Sequence, residues 1–265
     1  MKFLMLILTL LNPPVKKDKV VINKTYQVDD PQEMVVVVEN IFGDISVESS
    51  DADSDASIEK AKSELQFGET ISDDSIVFYM KAPFLRRCKW GNEWSNHIKL
   101  DRDELGYEYK YQYTLKVPKE VTIDAHTVNN GDISITNIDG PIKANNVNGE
   151  IQIQNARQVL KASTVNGDVT ISYIESPETS IAFNTVNGDF NFELPENFNA
   201  QVYFDSMHGE MYTSFDYRKL GPKVEKSQKH GTFKIGTKTG VEIGSGGPEL
   251  SFKSINGDVY LKKIE

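Results

Sequence analysis

The sequence predicts an all-β fold, a β-solenoid with coils of 18–21 residues and one short α-helix in an N-terminal insertion. Three observations predict it. A short motif, apolar-Asn-Gly-acid, recurs along the second half of the chain. Period-two alternation flanks it on both sides. The motif glycines Gly131, Gly149, Gly167, Gly188 and Gly209 are spaced 18, 18, 21 and 21 residues apart. Fixed spacing of this kind marks a repeat architecture, in which one supersecondary unit buries its apolar face against the next copy.

The clearest copy is Thr164-Val165-Asn166-Gly167-Asp168-Val169-Thr170-Ile171. Upstream lie residues 146–153 (NVNGEIQI) and 127–135 (TVNNGDISI, one Asn longer). Downstream lie 185–192 (TVNGDFNF), 206–213 (SMHGEMYT) and 254–261 (SINGDVYL), and 41–47 (IFGDISV) is a degenerate early copy. Six residues before the turn Asn, or His208 in its place, stand Ile123, Ile142, Leu160, Ile181, Val202 and Leu250. Four before stand Ala125, Ala144, Ala162, Phe183, Phe204 and Phe252, and two before mostly Thr or Ser. That alternation is the signature of a half-buried strand. Asn-Gly then supplies a turn, because both residues tolerate positive φ. A second strand follows, with Ile133/Ile135, Ile151/Ile153, Val169/Ile171, Phe190/Phe192 and Val259/Leu261 on one face and Ser134, Gln152, Thr170, Asn191 and Tyr260 on the other.

The change from 18 to 21 residues falls in the connection after that strand, and it coincides with the switch from Ala to Phe. The expectation is that Phe fills added space in later coils. The alternative architecture is an antiparallel meander or sandwich, with each Asn-Gly a hairpin turn. A meander sets complementary residues opposite one another, whereas a solenoid stacks identical ones about 4.8 Å apart. The run Val128, Val147, Val165, Val186, Met207, Ile255 before the turns favours stacking.

Outside the repeat, residues 33–39 (EMVVVVE) read as a buried strand, Ile76–Met80 as another, and Tyr107 to Val117 as an alternating aromatic strand. Residues 51–66 (DADSDASIEKAKSELQ) lack Gly and Pro and carry Ile58, Ala61 and Leu65 at helical spacing after Asp55 or Ser57 as cap. This helix and the aromatic strand are expected to cap the N-terminal end of the stack, since open solenoid ends expose unpaired backbone. Residues 86–97 show no periodicity and read as a loop. Lys219–Lys238 around Gly221-Pro222 reads as a loop insertion between coils.

Met1-Lys2 followed by the apolar run Phe3–Leu11, ended by Asn12-Pro13-Pro14, fits a signal peptide over residues 1–14. Nine helical residues reach about 14 Å against a hydrocarbon core of about 30 Å, too short for a transmembrane anchor. A buried N-terminal strand is the other reading. The expected organisation is a signal peptide (1–14), N-terminal strands, helix and aromatic cap (15–120), and a repeat solenoid (121–265) continuous with the preceding segment. The net charge of −10 disfavours phosphate backbones, hence nucleic-acid partners. One cysteine, Cys88, excludes an intrachain disulfide and a Cys-based zinc site.

Tyr113-Thr-Leu-Lys-Val-Pro-Lys119, Ile123-Asp-Ala-His-Thr-Val-Asn129, Gly131-Asp-Ile133 and the later Thr-Val-Asn-Gly-Asp copies resemble the bacterial putative-adhesin family of β-strand-repeat proteins. That family is similar to putative autotransporter adhesin head domains. The resemblance spans roughly residues 33–265 and is strongest from 107. It implies a right-handed β-helix in an exported bacterial protein, periplasmic, cell-surface or secreted. It brings no catalytic residue.

Every turn Gly is followed by an acid: Asp44, Asp132, Glu150, Asp168, Asp189, Glu210 and Asp258. Stacked carboxylates about 4.8 Å apart repel by about 0.9 kcal/mol in water. Either each accepts backbone N–H groups at its own turn, or Ca²⁺ sits between rungs, with Asp132, Glu150, Asp168 and Asp189 as ligands. No other cofactor is expected. Asn148-Gly149, Asn166-Gly167, Asn187-Gly188 and Asn256-Gly257 read as structural turns whose amides stack. Arg86, Arg87, Trp90 and Trp94 form a candidate ligand site, gripping an anionic sugar by charge and stacking. The expected function is a non-catalytic, exported, adhesin-like surface module for an extracellular or envelope ligand, glycan or protein. The alternative is a carbohydrate-active β-helix enzyme, a lyase or hydrolase.

Overall fold

In the computed structural model, residues 2–11, 20–28, 30–49, 66–81, 85–90, 93–98, 110–129, 131–229 and 232–264 are described. The N-terminal region contributes β1 (Lys2–Leu11), β2 (Val20–Val28), β3 (Val35–Glu39), β4 (Ile45–Ser49), β5 (Gln66–Ile71), β6 (Ser75–Lys81), β7 (Leu85–Trp90), β8 (Glu93–Ile98) and β9 (Lys110–Val117). The repeats then supply strand pairs: β10 (Thr122–His126) and β11 (Ile133–Thr136), β12 (Pro141–Asn145) and β13 (Ile151–Ala156), β14 (Gln158–Ser163) and β15 (Val169–Tyr173). Next come β16 (Ile181–Asn184) and β17 (Phe190–Leu194), then β18 (Ala200–Asp205) and β19 (Met211–Thr213). The chain closes with β20 (Tyr217–Lys229), β21 (Thr232–Ile243), β22 (Glu249–Lys253) and β23 (Val259–Lys263). All described elements are strands. The helix expected over 51–66 falls almost wholly on residues 51–65, outside the described residues.

The molecule is a β-solenoid. Each coil places one strand in a 10-stranded sheet and one in an 11-stranded sheet, with the Asn-Gly turn between them. Between coils, pairing along both sheets is parallel and largely in register. Ile133 pairs Ile151, Ile151 pairs Val169, Val169 pairs Phe190, and Phe190 pairs Val259. On the other sheet Ala125 pairs Ala144, which pairs Ala162. Antiparallel hairpins at each turn are thereby overturned: the backbone donors serve the coils on either side. The turn valines stand in single file, since Asn148 N donates to Val128 O, Asn166 N to Val147 O, and Asn187 N to Val165 O.

The core lies between the sheets. Inward residues of both strands, such as Ile133, Ile151, Val169, Ile142 and Ala162, are fully buried. The later coils replace aliphatics with an aromatic cluster. Phe183 stacks on Phe252 with centroids 5.2 Å apart and planes at 19°, and Phe192 meets Phe183 edge-on at 4.8 Å. Phe therefore occupies the register that Ala holds in the earlier, shorter coils, as expected.

Four features depart from expectation. Leu160, expected inward, is 39% exposed, while Val159 is buried and pairs Ile142. A register shift between Ile142 and Lys143 marks a β-bulge, which carries the extra residue out of the core. The segment read as a loop carries the antiparallel pair β7–β8, a two-stranded sheet of its own. The Lys-rich segment is likewise a hairpin, β20–β21, which extends the 11-stranded sheet through antiparallel pairing of β21 with β18. It ends the sheet and does not lie between coils.

The fourth departure is the order of coils. The last coil in sequence, β22–β23, sits between β16–β17 and β18–β19, parallel to both. The first coil, β3–β4, is likewise enclosed: β10 and β6 flank β3, and β11 and β9 flank β4. At the N-terminal end, β1 pairs antiparallel with both β9 and β2.

Candidate functional site

Three polar ladders run along the turn edge, one rung per coil. The outermost is amide on amide. Asn148 Nδ2 donates to Asn129 Oδ1 at 2.9 Å, Asn166 to Asn148 at 2.8 Å, Asn187 to Asn166 at 2.7 Å and Asn256 to Asn187 at 2.7 Å. His208 takes the next rung through a backbone bridge to Asn256.

The second ladder is carboxylic. Asp44 Oδ1 accepts the N–H of Asp132, and Asp132 Oδ1 that of Glu150. Asp168 Oδ1 accepts from Asp189 N, Asp189 Oδ1 from Asp258 N, and Asp258 Oδ1 from Glu210 N. The donor thus belongs to the adjacent coil and not to the carboxylate's own turn. The physical reason is the turn's direction: its own amides already bond to neighbouring coils, as Gly149 N does to Asn166 O. These five charge-assisted bonds offset the mutual repulsion. Among the described residues, no three His, Cys, Asp or Glu side chains are grouped to hold a metal ion.

The third ladder is buried and was missed in the sequence. Thr127, Thr164 and Thr185 Oγ1 donate to the carbonyls of Gly43, Gly149 and Gly167, and Asn146 Nδ2 to that of Gly131. The Thr-or-Ser preference two residues before the turn was visible, but it reads equally as strand alternation, and Asn146 stands outside it.

On the opposite edge, Arg157 Nε lies 3.0 Å from Asp139 Oδ1, its Nη1 bonds Glu175, and Lys119 Nζ lies 3.0 Å from Asp139 Oδ2. Partial burial pushes the Asp139 carboxyl up, yet the hydrogen bonds from Lys119 and Arg157 and their charges outweigh it and hold the group below the usual carboxylate range.

The outer face of the 10-stranded sheet carries a fourth row. Ser134 pairs Gln152, Gln152 pairs Thr170, Thr170 pairs Asn191, Asn191 pairs Tyr260, and Tyr260 pairs Tyr212. Four uncharged polar side chains therefore lead to two aromatic ones. The Tyr212 and Tyr260 rings stack with centroids 5.1 Å apart and planes at 9°. Each phenol is anchored: Tyr212 donates to Glu210 Oε2 at 2.9 Å, and Tyr260 to Asp258 Oδ2 at 3.1 Å. Those hydrogen bonds, with the adjacent negative charge, raise the pKa of both phenols. Lys262 Nζ stands 5.7 Å from the Tyr260 centroid. Both tyrosines occupy the third position after the turn glycine, so a column-wise reading of the repeats would have found the pair.

The four residues expected to bind ligand lie on the β7–β8 hairpin. Register pairs Trp90 with Glu93, Lys89 with Trp94, Arg87 with Asn96 and Arg86 with His97, so the two tryptophans belong to different cross-strand pairs.

Fold and turn chemistry together define a repeat β-solenoid whose polar turn groups bond from coil to coil. Residues 120–259 match the model of the family described as Toastrack DUF4097, and the chain belongs to that family. No curated protein matches the chain. A solved structure, of a putative cell adhesion protein from Clostridium sporogenes, is similar over 90% of this chain and 97% of its own, at 11% identity and a TM-score of 0.38.

Proposed function

We propose that the chain is a non-catalytic, exported, adhesin-like surface module that holds an extracellular or cell-envelope ligand against a coil face. One observation carries this reading: one oxygen of each turn aspartate, Asp44, Asp132, Asp168, Asp189 and Asp258, accepts a backbone N–H from an adjacent coil, and the sheet beside them presents a regular, repeating outer row. Such a body suits display of a surface. Polysaccharide cleavage instead requires an acid and a base converging on one bond, and the carboxylates here are strung along an axis.

Export is supported by the apolar run Phe3–Leu11 behind Lys2. Cleavage after it would remove β1 and leave β9 as the open edge of its sheet. The β7–β8 hairpin with Arg86, Arg87, Trp90 and Trp94 is a second place for ligand on this reading, and the likeness to autotransporter adhesin heads belongs to it as well.

The test is an array of glycans and matrix proteins scored for both retention and cleavage, together with N-terminal sequencing of the protein from cell fractions. Retention without cleavage is expected, on an exported chain lacking its first residues. Cleavage abolished by one carboxylate-to-amide substitution would establish the lyase or hydrolase reading in its place.

A further inference from the structure

We infer that the outer face of the 10-stranded sheet, at its β17–β23–β19 end, binds an uncharged, hydroxyl-rich polymer: an extended neutral glycan lying along the solenoid axis. The inference rests on the binding-module reading above and names its ligand class and place.

The aromatic pair supplies the anchor. Exposed aromatic faces pack against the C–H faces of sugar rings. One face of Tyr212 meets Tyr260, and Tyr212 is 46% exposed on the edge strand β19, so its other face is the one a terminal sugar stacks on, while the ring edges and phenol oxygens border the track. The rings are held before any ligand arrives, by each other at 5.1 Å and by the phenol bonds to Glu210 and Asp258. A preorganised platform loses little side-chain entropy on binding.

The row leading from the tyrosines supplies the track. Asn191, Thr170, Gln152 and Ser134 follow in direct register. Each can both donate and accept a hydrogen bond, as sugar hydroxyls can. Rungs recur about every 4.8 Å, close to the length of one hexose in an extended chain, so successive sugars meet equivalent partners.

The flanking carboxylates select against charge. Asp168, Asp189, Asp258 and Glu210 lie two residues before Thr170, Asn191, Tyr260 and Tyr212 on the same coils. Ionised carboxylates accept hydrogen bonds from hydroxyls and repel uronates, sulfates and phosphates. This site therefore differs in both place and ligand from the Arg86/Arg87 hairpin, whose charge suits an anionic sugar.

The experiment passes the full chain over immobilised neutral polymers (a glucan, a mannan and a xylan), anionic ones (alginate, heparin) and polylysine. Retention on at least one neutral polymer is expected. Tyr212→Ala with Tyr260→Ala should weaken it by about ten-fold or more at an unchanged melting temperature, Tyr260→Phe should retain it, and Lys143→Ala, exposed on the other sheet, should leave it intact. Failure of every neutral polymer, retention only on alginate, heparin or polylysine, or undiminished retention in the tyrosine double variant overturns the inference. Binding of a matrix protein alone overturns it while the module reading stands; cleavage of a retained polymer overturns that reading itself.

Discussion

Gly167 lies so close to the turn of the preceding coil that a Cβ at its position would stand 2.2 Å from the carbonyl oxygen of Gly149. Its φ of +150° adds a second restriction, since L side chains rarely adopt it. Substitution must therefore push neighbouring coils apart or twist the turn. Gly167→Ala is expected to cost about 3 kcal/mol, read as a lower urea midpoint at constant slope. A loss under about 1 kcal/mol would show that the turns do not stack this tightly.

Asn166 stands mid-ladder, donating to Asn148 and accepting from Asn187. Its side chain is exposed, so water replaces much of what is lost. Asn166→Ala should destabilise by about 1–2 kcal/mol, measured by the same urea titration, and the double variant with Asn187→Ala should fall short of the sum because the shared bond is counted once.

Phe183 fills the core between Phe252 and Phe192. Its truncation to Ala leaves a cavity that stacked coils have little freedom to collapse into. A loss of about 3–5 kcal/mol is expected, and a neutral result would mean that the later coils close up without it.

Tyr173 is fully buried, and its hydroxyl has no hydrogen-bond partner among the described residues. Burial pushes its pKa well above the usual value. The unfolded chain ionises near pH 10 while the folded one does not, so this residue's contribution is complete below about pH 10 and is lost as pH rises beyond it. Tyr173→Phe removes an unsatisfied buried polar group. It should raise stability by about 1 kcal/mol at neutral pH and flatten the alkaline decline, as followed by thermal melts between pH 8 and 11.

One oxygen of each turn aspartate already accepts a backbone N–H from the adjacent coil, which offsets the repulsion along the ladder without an ion. Melting in calcium and in chelator should therefore give the same transition temperature. A rise with calcium would reveal an ion bridging Asp132, Glu150, Asp168 or Asp189.

Much of the architecture was legible because each copy repeats the same residue at the same offset. Val128, Val147, Val165 and Val186 stack in file since identical residues are what parallel register demands. The spatial order of coils was not legible. Asn256 fits between Asn187 and His208 as well as it would fit outside them, because every rung presents the same chemistry to both neighbours. Leu160 misled because a bulge is a single-residue change that alternation alone does not signal. The β20–β21 hairpin was hidden by Gly221-Pro222 and by lysines that mask its period. Tyr212 and Tyr260 were each visible as strand residues, but their meeting depends on which coils adjoin.

The enclosed positions of β3–β4 and β22–β23 affect how the rod holds together. In a linear array the outermost units are the chain's own tips, and they melt first. Here the final segment is clamped from both flanks, so it leaves only by tearing both ladders at once. The layers that face outward beyond β22–β23 are β18–β21, residues 200–243, and the chain continues from both of their ends. Coil β22–β23 slots into the interior of the stack, so its loss leaves a gap inside the rod and not merely a shorter rod.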